Sequence, residues 1–314
     1  MSFLNNFKQH YHSKQIEDLI NKNDFEGFFN YLKKLSNNHK LFYDLSLKHS
    51  SQIINQYPKD ILDNKIVWLN SYLESDADYL KKFFQFYLKE YPLLSQNIIS
   101  YPEQISELIY KEEEIDFNAF IKYSYFFQWL ILNKHDQKYK FLLNNMPFFS
   151  TNNNFNFTKS NITQAYILIV NNPYNVYQQI KNNNNGDQEI ARNIFLNLDK
   201  QMFLKKIGNV KFKINQLGWH TNTLSWLDAN VVNSLRGKIV SLRELKEDPY
   251  ETLSSIILHL IQSNVEIELN YDLIEAFISK NLFIDNTPTL DLSKKEEKFI
   301  SKYIEGTTAL YNFE

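Results

Sequence analysis

Four short apolar runs constrain this chain more than anything else in it: "KIVWL" (65–69), "YKFLLNNMPFF" (139–149), "QAYILIV" (164–170) and "GKIVSL" (237–242). Each is bounded by polar turn residues, and stretches with helical spacing lie between them. A brief run of continuous apolar residues suits a strand buried on both faces. Strands of that kind separated by helices pair in parallel. The expected class is α/β, a parallel sheet flanked by helices.

Before Pro58 the pattern is different. From about residue 14 to 56 the spacing is helical, with Ile16, Leu19 and Ile20 followed by Phe25, Phe28, Phe29, Leu32 and Leu35. This predicts an N-terminal helical hairpin over 1–60, ahead of an α/β domain over 61–314. Between the first two apolar runs, Asp78 to about Leu132 reads as helical, with "KEEEID" as a solvated segment and "FFQFYL" and "YFFQWLIL" as core-facing stretches. The asparagine-rich segments "STNNNFNFTKSN" and "KNNNNGD" read as mobile surface insertions. Two late helices show their starts: Asp248, Pro249 and Glu251 in one, Ser293 and Glu296 in the other, each as a capping box.

Composition narrows the function. Hydrophobic residues are 43% of the chain and aromatics 16%, enough for a packed interior. A formal net charge of -2 gives no broad attraction for nucleic acid or acidic membrane. With no cysteine there is no disulfide, thiolate metal site or cysteine nucleophile. The first residues, "MSFLNNFKQHYHSKQ", lack the apolar core of a signal peptide, and no run reaches membrane-spanning length, so a cytoplasmic protein is expected. The histidines (10, 12, 39, 48, 135, 220 and 259) show no paired ligand spacing; His10 and His12 fall in a start read as mobile, and His220 reads as structural or solvent-facing. There is no G-x-S-x-G, Walker A or dinucleotide glycine fingerprint.

Five segments in order resemble the sulfotransferases that use 3'-phosphoadenosine 5'-phosphosulfate (PAPS). "WLNSYLESDADYLKKFF" (68–84) stands where the family has a segment similar to "WLASYPKSGNTWLRxFL". "STNN" (150–153) stands for "KTHN", and "YILIVNNPYNVYQQ" (166–179) for "YIVRNPxDVxxS". "WHTNTLSW" (219–226) is similar to "W..HV.SW", and "VSLRELKEDPYETLSSIILHL" (240–260) to "LRYEDL..DP..TL..I..FL". The resemblance covers about residues 64 to 310 and implies a P-loop-like parallel sheet.

It also implies where a cofactor would sit. By position the family's phosphosulfate lysine becomes Glu74, its glycine Asp76 and its threonine Asp78, while Ser75 survives. The 3'-phosphate arginine becomes Asn171, and its partner serine becomes Gln179. The general-base histidine falls at Asn152, and the later histidine at Asn222; Pro173, Val176, Trp219, Ser225 and Trp226 persist. The residues kept are mostly those that build the fold, and the residues lost are mostly those that touch the cofactor.

Sulfuryl transfer needs an anionic donor held by positive charge or oriented N–H groups. Here carboxylates sit at the helix N-terminus, where an anion would be expected. Asp76 or Asp78 as an N-cap would stabilise the helix by roughly 1 kcal/mol. A phosphate about 4 Å from one such charge would be opposed by about 4 kcal/mol at an effective dielectric near 20. PAPS binding is therefore not expected, nor is any catalytic residue beyond the positional remnant Asn152. The remnant pocket comprises Glu74, Ser75, Asp76, Asp78, Asn171 and Gln179. A divalent cation on Glu74, Asp76 and Asp78 is the lesser reading of the acidic turn, after helix capping. The functional expectation is a degenerate sulfotransferase-like protein that binds a protein partner or a hydroxyl-bearing ligand. The alternatives are an active sulfotransferase with a displaced, metal-assisted site and a purely helical interaction scaffold.

Overall fold

The structure is a computed structural model. It describes residues 2–22, 65–91, 99–100, 113–116, 139–144, 163–196, 202–207, 210–215, 236–281 and 287–304, with isolated positions at 24, 27, 30, 31, 34, 35, 45, 218, 219, 223, 226, 227 and 283. The chain divides into two compact units. One is composite, drawing on Met1–Lys65, Tyr101–Lys138 and Phe203–Ile214; the other holds Ile66–Ser100, Tyr139–Met202 and Asn215–Glu314.

In the composite unit, α1 (Ser2–Asn21) begins well before the predicted start of helix. The notion of a mobile N-terminal segment is corrected accordingly: Nδ1 of His12 lies 2.7 Å from the Tyr31 hydroxyl. Beyond α1 the backbone is helical at Gly27, Asn30, Tyr31, Lys34, Leu35 and Leu45. A small sheet runs in the order β3-β7-β6, built from β3 (Glu113–Asp116), β6 (Met202–Ile207) and β7 (Val210–Asn215). β3 corrects the expectation of helix from Asp78 to Leu132, because it is the "KEEEID" segment. Its register with β7, parallel, sets Glu114 opposite Lys211 and Asp116 opposite Lys213. Opposite charges at paired positions favour a strand that the local pattern alone presents as solvated.

The other unit carries the main sheet, five strands in the order β2-β4-β1-β5-β8. These are β1 (Lys65–Ser71), β2 (Ile99–Ser100), β4 (Tyr139–Asn144), β5 (Thr163–Val170) and β8 (Gly237–Ser241). Each of the four apolar runs supplies a strand of this sheet, the second through 139–144 alone, and the pairs β2–β4, β1–β5 and β5–β8 are parallel. The class is α/β, which removes the purely helical alternative.

Helices α2 (Asp78–Tyr87), α3 (Pro173–Asn183), α4 (Gln188–Leu196), α5 (Leu242–Glu247), α6 (Pro249–Gln262), α7 (Tyr271–Lys280) and α8 (Lys294–Ile304) accompany it. One face of the sheet presents Val67, Leu69, Ala165, Ile167, Ile169 and Val240 to a core shared with α2, α6 and α7. The "FFQFYL" stripe supplies Phe83, Phe84, Tyr87 and Leu88 to that core, as its helical period predicts. On the opposite pleat Trp68, Tyr166 and Leu168 are buried too, which is why these strands read as continuous apolar runs. Gly237 lies directly across from Tyr166 in the β5–β8 register. A Cβ at Gly237 would overlap the Tyr166 ring, whose hydroxyl donates to the Trp226 carbonyl.

The "KNNNNGD" segment is not a loose insertion. It completes α3 and turns into α4. Asn185 and Gly186 take positive φ (57° and 80°), and Gly186 N–H closes the helix on the Lys181 carbonyl at 2.9 Å. Asp187 then caps α4, accepting from the N–H groups of Glu189 and Ile190. Ser293 and Glu296 form the expected reciprocal cap of α8. Asp248 caps α6 through Glu251 N–H, but the reciprocal bond is absent: its own N–H donates to the Glu244 carbonyl. Among the described residues, no helix is long and apolar enough to cross a membrane.

Candidate functional site

The candidate site lies at the carboxyl ends of β1 and β5. From β1 the chain passes to β2 and β4 on one side of it, then returns to β5 on the other. That reversal is a topological switch point, and in open α/β sheets ligands bind in the crevice it leaves. The register sets Ser71, the last residue of β1, beside Ile169 of β5. Two residues beyond Ile169 comes Asn171, and Asn172 then caps α3 by accepting from Tyr174 N–H at 2.9 Å. After β1 a bend leads into a 3₁₀ turn, Glu74–Ala77, and then α2.

Asp76 and Asn171, 95 residues apart, meet here. Asn171 Nδ2 donates to Asp76 Oδ1 at 3.0 Å. Both side chains are buried, with relative exposures of 5% and 8%. Burial pushes the Asp76 carboxyl up to about 7, against the Asn171 donation, and the Asp78 carboxylate adds to the rise. No cation of the described residues figures among these influences. The carboxyl therefore passes between acid and anion near neutral pH.

The capping expectation is corrected. Ala77 occupies the N-cap of α2 with no side-chain bond, Asp76 turns its oxygen to Asn171, and Asp78 is exposed in the first helical turn. The geometric reason is the 3₁₀ turn. It already engages Asp76 N–H with the Leu73 carbonyl at 3.1 Å, and it carries the Asp76 side chain inward. The side chains of Glu74 and Ser75 are outside the described set, as are Asn152, His220, Asn222 and Ser225. Gln179 stands on α3, half-buried, and its Oε1 is enclosed without a hydrogen-bond partner.

Two residues at this edge were not singled out from the sequence. Asn70 is only 2% exposed, yet neither its Oδ1 nor its Nδ2 has a partner, and the Ser71 hydroxyl is equally orphaned. Their signal is the polar pair closing an otherwise apolar strand, "KIVWLNS". Buried, unsatisfied polar groups are costly to a fold that gains nothing from them. Trp219 and Trp226, which the resemblance carries over, are buried; Trp219 stacks on Phe195 with ring centres 5.8 Å apart. Among the described residues, no three His, Asp or Glu side chains group as metal ligands.

Comparison with known protein families and with curated proteins finds no match to this chain.

Proposed function

We propose that the protein is a catalytically degenerate relative of the PAPS-dependent sulfotransferases, with a P-loop-like sheet, that works by binding rather than by group transfer. The observation that supports this is the Asn171–Asp76 hydrogen bond. By resemblance these two positions hold a glycine and an arginine that receive opposite ends of an anionic cofactor. Here they are linked to each other, so a neutral amide and a carboxyl fill the crevice from within. The occupant that remains compatible is a protein partner or a hydroxyl-bearing ligand on the acceptor side.

A thermal-shift titration with PAPS and with its desulfated product, each with and without Mg²⁺, tests the reading. The expected result is no shift in any arm at pH 6, where the Asp76 carboxyl is neutral and bonded to Asn171. Saturable stabilisation that needs Mg²⁺ and disappears in Glu74→Ala and Asp76→Ala would replace it with a metal-assisted transferase.

A further inference from the structure

Asn171 Nδ2 to the Asp76 carboxyl is the one side-chain hydrogen bond described between the 3₁₀ turn and the residue leaving β5, and its donor is neutral. Among the described residues, the neighbouring elements offer no partner to balance a charge there. β5 carries no charged residue, and the one charge of β1, Lys65, is at its far end. α2 brings Asp78, a like charge, and its Lys81 and Lys82 do not act on Asp76; the 3₁₀ turn itself carries Glu74. Lys181, on α3, is engaged elsewhere, with the Asp291 carbonyl at 2.7 Å and the Glu296 carboxylate at 3.3 Å.

We propose that Asp76 is a proton-operated latch: as the neutral acid it holds the turn at residues 72–77 against the end of β5, and as the anion it releases that turn. A neutral carboxyl still accepts from Asn171 through its carbonyl oxygen and has little cost of burial. Among the described residues the carboxylate has one amide donor and no counter-ion, and as an enclosed charge it regains solvation by leaving. Because the folded-state carboxyl titrates at about 7, above the ordinary carboxylate value, the latch is fully engaged in acid and lost as pH rises through neutrality. The crevice at the switch point is thus closed below neutral pH and open above it. The inference rests on the geometry of the turn and is independent of the sulfotransferase reading.

Hydrogen exchange on the full chain tests it, comparing pH 6 with pH 8 after correction for intrinsic rates. In the wild type, protection of amides in 72–80 is expected to fall by about tenfold, the effect of one pH unit of proton linkage. In Asp76→Asn, which is neutral at both pH values, it is expected not to change. Equal loss of protection in both proteins would overturn the latch. If the variant does not fold, carboxyl ¹³C NMR of the wild type decides: an Asp signal titrating near 7 supports the proposal, and no aspartate titrating above about 5 ends it.

Discussion

His259 and Asp76 respond to pH in opposite directions, and each shows what burial does to a single residue. Burial holds the His259 imidazole below its ordinary pKa, against its hydrogen bond to the Arg236 carbonyl (3.0 Å) and with Lys238 nearby. The folded state therefore prefers neutral imidazole. That contribution is present above about pH 6.5, the unfolded value, and is lost as pH falls through the lowered folded value. Urea unfolding of the wild type should weaken on acidification below about pH 6.5. His259→Gln, which keeps an N–H donor but has no such titration, should show a flatter profile over the same range. At this scale the sequence was partly legible. The resemblance assigns Asp76 and Asn171 to one remnant pocket but to opposite ends of a cofactor, so their direct bond was not legible from it. Nor was it legible that Asp76 would turn inward instead of capping α2, because that depends on a 3₁₀ turn that no residue pattern announces. Asn70 and Ser71 were overlooked for a related reason: orphaned polar groups are visible only once their neighbours are in place.

At the scale of elements, α3 and α8 are joined by more than their apolar faces. Lys181 reaches the Asp291 carbonyl and the Glu296 carboxylate, while Gln178 Oε1 accepts from Asp291 N–H at 3.0 Å. Glu296 also closes the cap of its own helix through Ser293. Removing it leaves a buried ammonium without its partner and a helix start without its acceptor. Glu296→Ala is expected to cost about 3–5 kcal/mol in urea-induced unfolding. Glu297→Ala, an exposed neighbour, should stay within about 0.5 kcal/mol. The capping box was readable from Ser293 and Glu296, but the second duty of Glu296 was not, since Lys181 lies 115 residues away in sequence. Strands followed the same rule. β1, β4, β5 and β8 declare themselves by continuous apolar residues buried on two sides. β2 is two residues long, and β3 is charged, so neither carries that signal.

For the whole molecule, the chain order of the two units matters. The first 65 residues share a compact unit with 101–138 and 203–214, segments that leave and re-enter the main sheet's unit. The hairpin reading of 1–60 names no distant partner segments, because local periodicity carries no record of which of them it packs with. Deleting residues 1–65 should then leave the later two segments without much of their packing. The expected outcome is increased binding of a hydrophobic dye and a broadened thermal transition compared with the full chain. A sharp, dye-silent transition in the truncated protein would show that the extension is dispensable. The sheet itself was legible from the sequence as a class and in four of its strands, whereas its strand order emerged only from the fold.

Gly237 has a consequence of its own. Across from it stands Tyr166, and the glycine leaves the room that the phenol ring fills. The outermost strand can therefore lie flat against its neighbour only because one methyl group is missing. Any mutation that restores it would have to tilt the ring away from the Trp226 carbonyl or lift the strand's first residue from the edge. The rim of the sheet is thus held in place by an empty space.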